Sequence, residues 1–417
     1  MTTMAIDNKD KKVLKSSIER EQNELACSAE REKIKGSKNL NVPHLRFPEF
    51  SGEWYSYPLT DFMSFKNGMN PDAKRFGRGI KFISVMDILN NQFICYDNIR
   101  ASVEVIEGDI ETYGVNYGDI LFQRSSETLE DVGQANVYLD RKPAVFGGFV
   151  IRGKSKGNYH PVFFRYLLAS PTARKRIIVK GAGAQHFNIG QDGLSRVCLN
   201  IPSIQEQEKI AKLFECVDTR IATQNKIIED LKKLKSAISE RLFNAIKGDV
   251  VVLEDIGDVV KGKQINGEFL SESGKYYVMN GGIEPSGFYN DYNVEANTIS
   301  ISEGGNSCGY VQFNAYPFWS GGHCYTIQNT TDNVKTEYLY QFLKSKESEI
   351  MKLRIGSGLP NIQKKDLAKF KITIPNISEQ KVISAFLSSF ERKADVEMNF
   401  VNLLLEEKQY LLRQMFI

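Results

Sequence analysis

Two stretches of the chain have the residue types and spacing of catalytic sites. Gly148-Phe149-Val150-Ile151-Arg152-Gly153-Lys154-Ser155 fits the phosphate-loop pattern G-x-x-x-x-G-K-[ST]. Such a loop follows a strand, wraps N–H groups around phosphates and opens a helix at its lysine. Here the spacer residues are themselves strand-like, and Lys156-Gly157-Asn158-Tyr159-His160-Pro161 follows as a turn. Gly305-Asn306-Ser307-Cys308-Gly309 fits the nucleophile elbow G-x-S-x-G, which needs strand, sharp turn, then helix. Tyr310-Val311-Gln312-Phe313 leads out of it with strand alternation, so the segment reads as a hairpin. Neither stretch supports a nucleotide site or a hydrolase. The six cysteines, at 27, 95, 198, 216, 308 and 324, form no C-x-x-C pair and read as reduced, small hydrophobic residues. With four histidines and no cysteine pair at ligand spacing, no zinc site is expected.

Hydrogen-bonding chemistry is better represented. Donor- and acceptor-bearing side chains cluster beside glycines at matched places along the chain. Lys66 and Asn67 precede Gly68, and Lys261, Lys263 and Gln264 surround Gly262. Lys74, Arg75 and Arg78 form a basic loop with Phe76. Gln123, Arg124, Ser125 and Ser126 end one strand-like run; Glu303, Asn306 and Ser307 follow another. Phe146-Gly147-Gly148 matches Trp319-Ser320-Gly321-Gly322-His323. Lys180 and His186 lie on either side of one glycine pair, and Ser357 and Asn361 lie within and after another. Glycine lets backbone approach a phosphate; Lys, Asn and Gln supply donors. Arginine binds guanine bidentately, and glutamate accepts from cytosine N4. These residues are candidate contacts for a hydrogen-bonding partner, and DNA is the partner that the resemblance given below implies.

The matched places belong to an internal repeat. Asn200-Ile201-Pro202-Ser203-Ile204-Gln205-Glu206-Gln207 and Thr373-Ile374-Pro375-Asn376-Ile377-Ser378-Glu379-Gln380 share I-P-x-I-x-E-Q. Upstream, Asn188-Ile189 answers Asn361-Ile362, and Leu59 with Gly68 answers Leu253 with Gly262. Gly181 and Gly183 are matched to Gly356 and Gly358 if a two-residue gap is allowed. The middles diverge. After each I-P-x-I-x-E-Q, apolar residues recur at three- and four-residue spacing, from Ile210 to Leu242 and from Ile383 to Met415. This is the period of a coiled-coil seam. Lys247-Gly248 reads as a basic last turn with a C-cap glycine. A further helix is predicted over 161–169 and another over 336–353, with short strands at 79–85, 119–122, 149–151 and 298–301.

The expected fold is α+β: two globules separated by a long antiparallel coiled coil of two helices, with pseudo-two-fold symmetry. The boundaries are an N-terminal extension (1–40, accessory helix or disorder), a globule (41–203), a central helix (204–247), a second globule (248–375) and a C-terminal helix (376–417). At 417 residues, 41% hydrophobic and 25% charged, the chain has room for two or three domains of ordinary globular composition. No apolar run reaches the roughly 20 residues of a membrane span, and no signal peptide opens the chain, so a cytoplasmic location is expected. The net charge of +3 is too small to argue for nucleic acid alone.

Asn41-Val42-Pro43-His44-Leu45-Arg46-Phe47-Pro48, the glycine pairs, the Asn-Ile steps, the doubled I-P-x-I-x-E-Q, the long helices and the ending Leu411-Leu412-Arg413-Gln414-Met415-Phe416 resemble the specificity subunits of type I restriction–modification enzymes. The resemblance covers residues 41–417; residues 1–40 depart from it. It implies that each globule is a target recognition domain reading one half of an asymmetric, split DNA sequence. It implies that the coiled coil sets the spacing and docks two methylation subunits, with Gln207 and Gln380 as candidate docking residues. Restriction subunits complete such an enzyme. S-adenosylmethionine, ATP and Mg belong to those partners, and this chain is expected to bind no cofactor and to catalyse nothing. It holds no Pro-Pro dipeptide, and so no N/D-P-P-[YF] base-holding segment of DNA amino-methyltransferases. The alternative reading is a coiled-coil scaffold whose globules bind protein.

Overall fold

The computed structural model describes residues 41–417 except Ala184, Ser357 and Leu359. The expectation for 1–40 and the candidate Ser357 therefore lie outside the described residues. The chain divides into two compact units: one runs to Ile221 and includes Asn402–Ile417, the other is Ala222–Val401. The long helices are thus shared out between the globules rather than forming a separate domain.

In the first unit, four antiparallel strands lie in the order Met63–Asn67, Val150–Ser155, Ile120–Gln123, Ala135–Val137. A second sheet orders Ser102–Val103, Phe76–Ile83, Ala144–Phe146 and Gly114–Val115, with the central two parallel. Helix Pro161–Ala169 forms as its pattern predicts: proline fills its first turn and His160 caps it. Its Phe163 and Phe164 enter a core with Trp54, Phe214 and Phe416. Tyr55–Pro58 pairs with Cys198–Ile201, closing the globule where the long helix leaves it.

The second unit repeats this plan. Its four-stranded sheet runs Asp258–Lys261, Cys324–Gln328, Thr298–Ser302, Val311–Asn314, and Asp249–Val252 pairs with Lys371–Ile374. Phe243, Tyr338 and Phe342 stand in its core. The helix expected over 336–353 is two pieces, Thr336–Ser345 and Glu347–Met351. Lys346 N–H is shared between the carbonyls of Phe342 and Leu343, tightening the last turn until it stops.

The two long helices are Ile204–Ala245, of 42 residues, and Ile377–Gln414, of 38. Ser203 Oγ caps the first and Asn376 Oδ1 the second. They pair antiparallel within each unit. In the first, Asp218 meets Lys408 at 2.6 Å and Tyr166 donates to Asp218 at 2.7 Å. In the second, Glu391 meets Lys235 at 2.7 Å and Tyr340 donates to Glu391 at 3.2 Å. Asp218 and Glu391 occupy the same place in the repeat, as do Lys235 and Lys408. Between these ion pairs, within the second unit, the Gln224 amide donates to the Glu397 carboxylate. Those two residues are also counterparts in the repeat.

Gly248 does not cap the first long helix with a left-handed turn. It has no positive φ, and its missing Cβ makes room for the Ile374 carbonyl. Among the described residues, Cys95, Cys216, Cys308 and Cys324 are free thiols.

Candidate nucleic-acid interface

The stretches that mimic catalytic sites are structural. Val150–Ser155, inside the phosphate-loop pattern, is a central sheet strand and opens no helix. Residues 305–309 turn between Thr298–Ser302 and Val311–Asn314, an antiparallel hairpin. Among the described residues, no cluster of three His, Cys, Asp or Glu side chains is placed to hold a metal.

The matched glycines sit in the same backbone knot in both units. Gly68 N–H donates to Val150 O at 3.1 Å, as Gly262 N–H does to Cys324 O at 2.8 Å. Met69 N–H reaches Phe146 O at 3.0 Å, and Lys263 N–H reaches Ser320 O at 2.8 Å. Arg124 N–H donates to Phe149 O, and Glu303 N–H to His323 O, each at 2.9 Å. Ile189 N–H closes on Arg124 O at 2.9 Å, and Ile362 N–H on Glu303 O at 2.8 Å. A Cβ on Gly68 would overlap the Gly147 carbonyl, and one on Gly262 the Gly321 carbonyl. These glycines therefore serve a close approach of backbone to backbone, where the sequence pointed to a phosphate. The knot also corrects one alignment. Ala182 bridges Asn188 and Ile355 bridges Asn361, so Gly183 answers Gly356 without any gap.

Around each knot the structure gathers many of the candidates. In the first unit, Gln123 Nε2 donates to Ser125 O at 2.9 Å, and Ser125 Oγ donates to Asn188 Oδ1. Ser126 pairs with Phe187 across a two-strand ladder, which places exposed His186 beside it. Arg124 is half-buried, with Nη1 donating to Gly148 O at 3.2 Å. Lys66 lies over the Tyr113 ring at 5.4 Å, and Asn67 is half-buried beside Gln191. Lys74 and Lys180 are exposed. Arg75 pairs with Asp109 and donates to Glu104 O at 2.8 Å, while Arg78 pairs with Glu104 at 2.7 Å. The Ile106 N–H first, and then Arg75, hold the Asp109 carboxyl below its usual range. The basic loop is thus partly committed to its own globule.

In the second unit, Glu303 is only 7% exposed. Its Oε1 takes Lys261 Nζ at 2.6 Å and the Tyr325 hydroxyl at 3.1 Å. Exposed Lys263 accepts the Trp319 indole N–H on its carbonyl at 2.9 Å, and Gln264 lies against Gly322. Asn306 is exposed at the hairpin turn, Ser307 is half-buried there, and Asn361 bridges both Ile355 and Gly304. His323 is exposed, with Nδ1 3.4 Å from Glu303 Oε2.

Gln207 and Gln380 are buried, against their assignment as docking residues. Gln207 Oε1 accepts from His160 N–H at 3.0 Å, and its Nε2 donates to Pro202 O at 3.0 Å. Gln380 Oε1 accepts from Lys335 N–H at 2.8 Å, and its Nε2 donates to Asn333 O and Pro375 O, each at 2.9 Å. In both units this amide staples the long helix to the start of the globule's short helix. The same first unit ties in the opening segment: Arg46 pairs with Glu206 at 2.7 Å, and Leu45 N–H donates to Gln414 O at 3.0 Å.

The residue reading missed an apolar cleft of about 440 Å³ in the first unit, lined by Asn70, Phe76, Ser84, Met86, Ser125 and Phe149 among others. Phe149 is 68% exposed. The signal was present as an aromatic directly after a glycine pair, but strand-like neighbours masked it.

The model of the type I restriction modification DNA specificity domain matches residues 51–233 and again 247–404. The chain belongs to this family. A putative type I specificity subunit of Mycoplasma pneumoniae is 34% identical over 38% of this chain and 42% of its own length. The chain thus spans well under half of that relative. The putative MjaX specificity subunit of Methanocaldococcus jannaschii is 22% identical over 86% of this chain and 92% of that relative. The fold is that of a crystallised type I restriction–modification S subunit from M. genitalium: TM-score 0.57 at 18% identity, over 90% of this chain and 99% of that one. Among the described residues, no helix is long and apolar enough to cross a membrane.

Proposed function

We propose that the chain is the DNA-reading subunit of a type I restriction–modification complex, each unit recognising one half of an asymmetric bipartite target. The observation that carries this is the doubled family match, 51–233 and 247–404, one on each globule. The structure supports it chemically: one knot is built twice, and the donors and acceptors around it differ between the copies. On this reading the long helices set the spacing between half-sites. Two methylation subunits dock on them, and restriction subunits complete the assembly. S-adenosylmethionine, ATP and Mg act in those partners in the cytoplasm, and this chain binds no cofactor and catalyses no step. A relative by fold comes from work on assembly of the type I R-M system, at TM-score 0.57 and 14% identity. The family match favours this reading over a protein-binding scaffold.

The test is duplex-DNA binding by the full chain with its methylation subunits, over a salt series. Phosphate contacts release counterions, so affinity should fall steeply, about 10³-fold or more between 50 and 200 mM salt for six or more contacts. Salt-independent binding, or none, overturns the proposal.

A further inference from the structure

We propose that Arg124 with Phe149, and Glu303 with His323, are the matched base-reading positions of the two half-sites. This rests on the DNA-reading function above and names the residues that give each half its letter. The two pairs stand on one scaffold. Each pair is joined by the same backbone hydrogen bond at 2.9 Å, and each first member accepts from the isoleucine that follows Asn188 or Asn361. Glycines precede both second members, and both side chains are exposed.

On this common frame the chemistry is opposite. The Arg124 guanidinium carries only donors, and among the described residues its side chain makes one bond, Nη1 to Gly148 O at 3.2 Å, which leaves further N–H groups for a ligand. Guanine offers O6 and N7 as a matching pair of acceptors. Phe149 stands on the rim of the 440 Å³ cleft with Phe76 and Met86, all three exposed. An apolar rim of this kind suits the methyl group of a neighbouring thymine.

Glu303 carries only acceptors when ionised. Its Oε1 is taken by Lys261 and Tyr325. Its Oε2 is buried and accepts no hydrogen bond; His323 Nδ1 approaches to 3.4 Å without making one. That oxygen is closed to a base, so the exposed His323 imidazole is the group this pair presents, with its Nδ1 turned toward the carboxylate. With the proton on Nδ1, its Nε2 accepts from the exocyclic amine of cytosine or adenine. The first unit is therefore assigned a guanine contact and the second an amino-base contact.

The experiment maps methylated motifs in DNA from cells carrying the full chain and its methylation subunits. The wild type is compared with Arg124→Ala, Phe149→Ala, His323→Ala and Glu303→Gln. Arg124→Ala and Phe149→Ala should each relax base preference about tenfold or more at one position of one half-site only. His323→Ala and Glu303→Gln should relax one position of the other half only. Phe149 and His323 are exposed, so their removal tests the idea even where Glu303→Gln disturbs folding. An unchanged motif, a change in both halves, or a uniform loss of methylation with the motif intact overturns it. A wild type that yields no two-part motif instead overturns the proposed function itself.

Discussion

At the scale of single residues, the shared glutamines show how a repeated polar side chain is misread. I-P-x-I-x-E-Q looks like a docking surface because a polar residue just inside an amphipathic helix is usually solvated. Its burial depends on Pro202 and His160 meeting in space, which linear spacing does not display. The same holds for Arg75 and Arg78, whose partners Glu104 and Asp109 lie 26 to 34 residues away. Gln380→Leu would strand Lys335 N–H and two carbonyls. Unfolding by denaturant should show a loss of about 2–4 kcal/mol, since each buried unpaired group costs about 1–3 kcal/mol; a loss below 1 kcal/mol would remove the staple from the account. His160 offers a pH-dependent counterpart. Burial, the largest effect, holds its imidazole below the ordinary value, and the neutral ring accepts Phe163 N–H at 3.4 Å. The unfolded chain takes the proton more readily, so this stability is present above roughly pH 6.5 and lost as pH falls from there through the lowered folded-state value. Melting temperatures of wild type and His160→Asn, whose cap does not titrate, should diverge in favour of the variant between pH 8 and pH 5.5.

At the scale of elements, the parts dictated by period were legible and the parts dictated by close approach were not. Both long helices, and Pro161–Ala169, follow from apolar spacing and entry signals. The break at Lys346 does not, because the apolar pattern continues across it. Neither does the use of Gly68, Gly262 and Gly248, whose meaning lies in carbonyls of distant strands. Gly68→Ala and Gly262→Ala should each destabilise by about 1–3 kcal/mol through forced backbone shifts. If either weakens DNA binding without lowering thermal stability, the glycine touches phosphate after all. The ion pairs between the helices make a sharper test. Asp218→Lys places two lysines together and should lower stability, and adding Lys408→Asp should restore most of the loss. Failure of that rescue, read by calorimetry, would show that the pair does not act as a pair.

At the scale of the whole molecule, the repeat announced the architecture, and divergence of the globule middles concealed the site. The sequence matched the segments that hold positions 124 and 303, and backbone hydrogen bonds make those two positions equivalent one to one. At about 1.5 Å per residue, the first long helix is a rod of roughly 60 Å, and sites one DNA turn apart lie about 34–36 Å from each other. Adding about one helical turn, four residues, within 227–239 should change the gap in the methylated motif. A gap that survives the insertion would separate the helices from spacing control.

The Gln224–Glu397 contact shows what two unlike halves in one chain permit. In a pair of identical half-length chains, two-fold symmetry would set a residue against its own copy at this point. Two glutamines can bond to each other there, amide to carbonyl. Two glutamates would bury like charges face to face, and one would have to keep its proton. The Gln–Glu combination is therefore open only to unlike halves, and of the two pairings of equal halves only the glutamate one is costly.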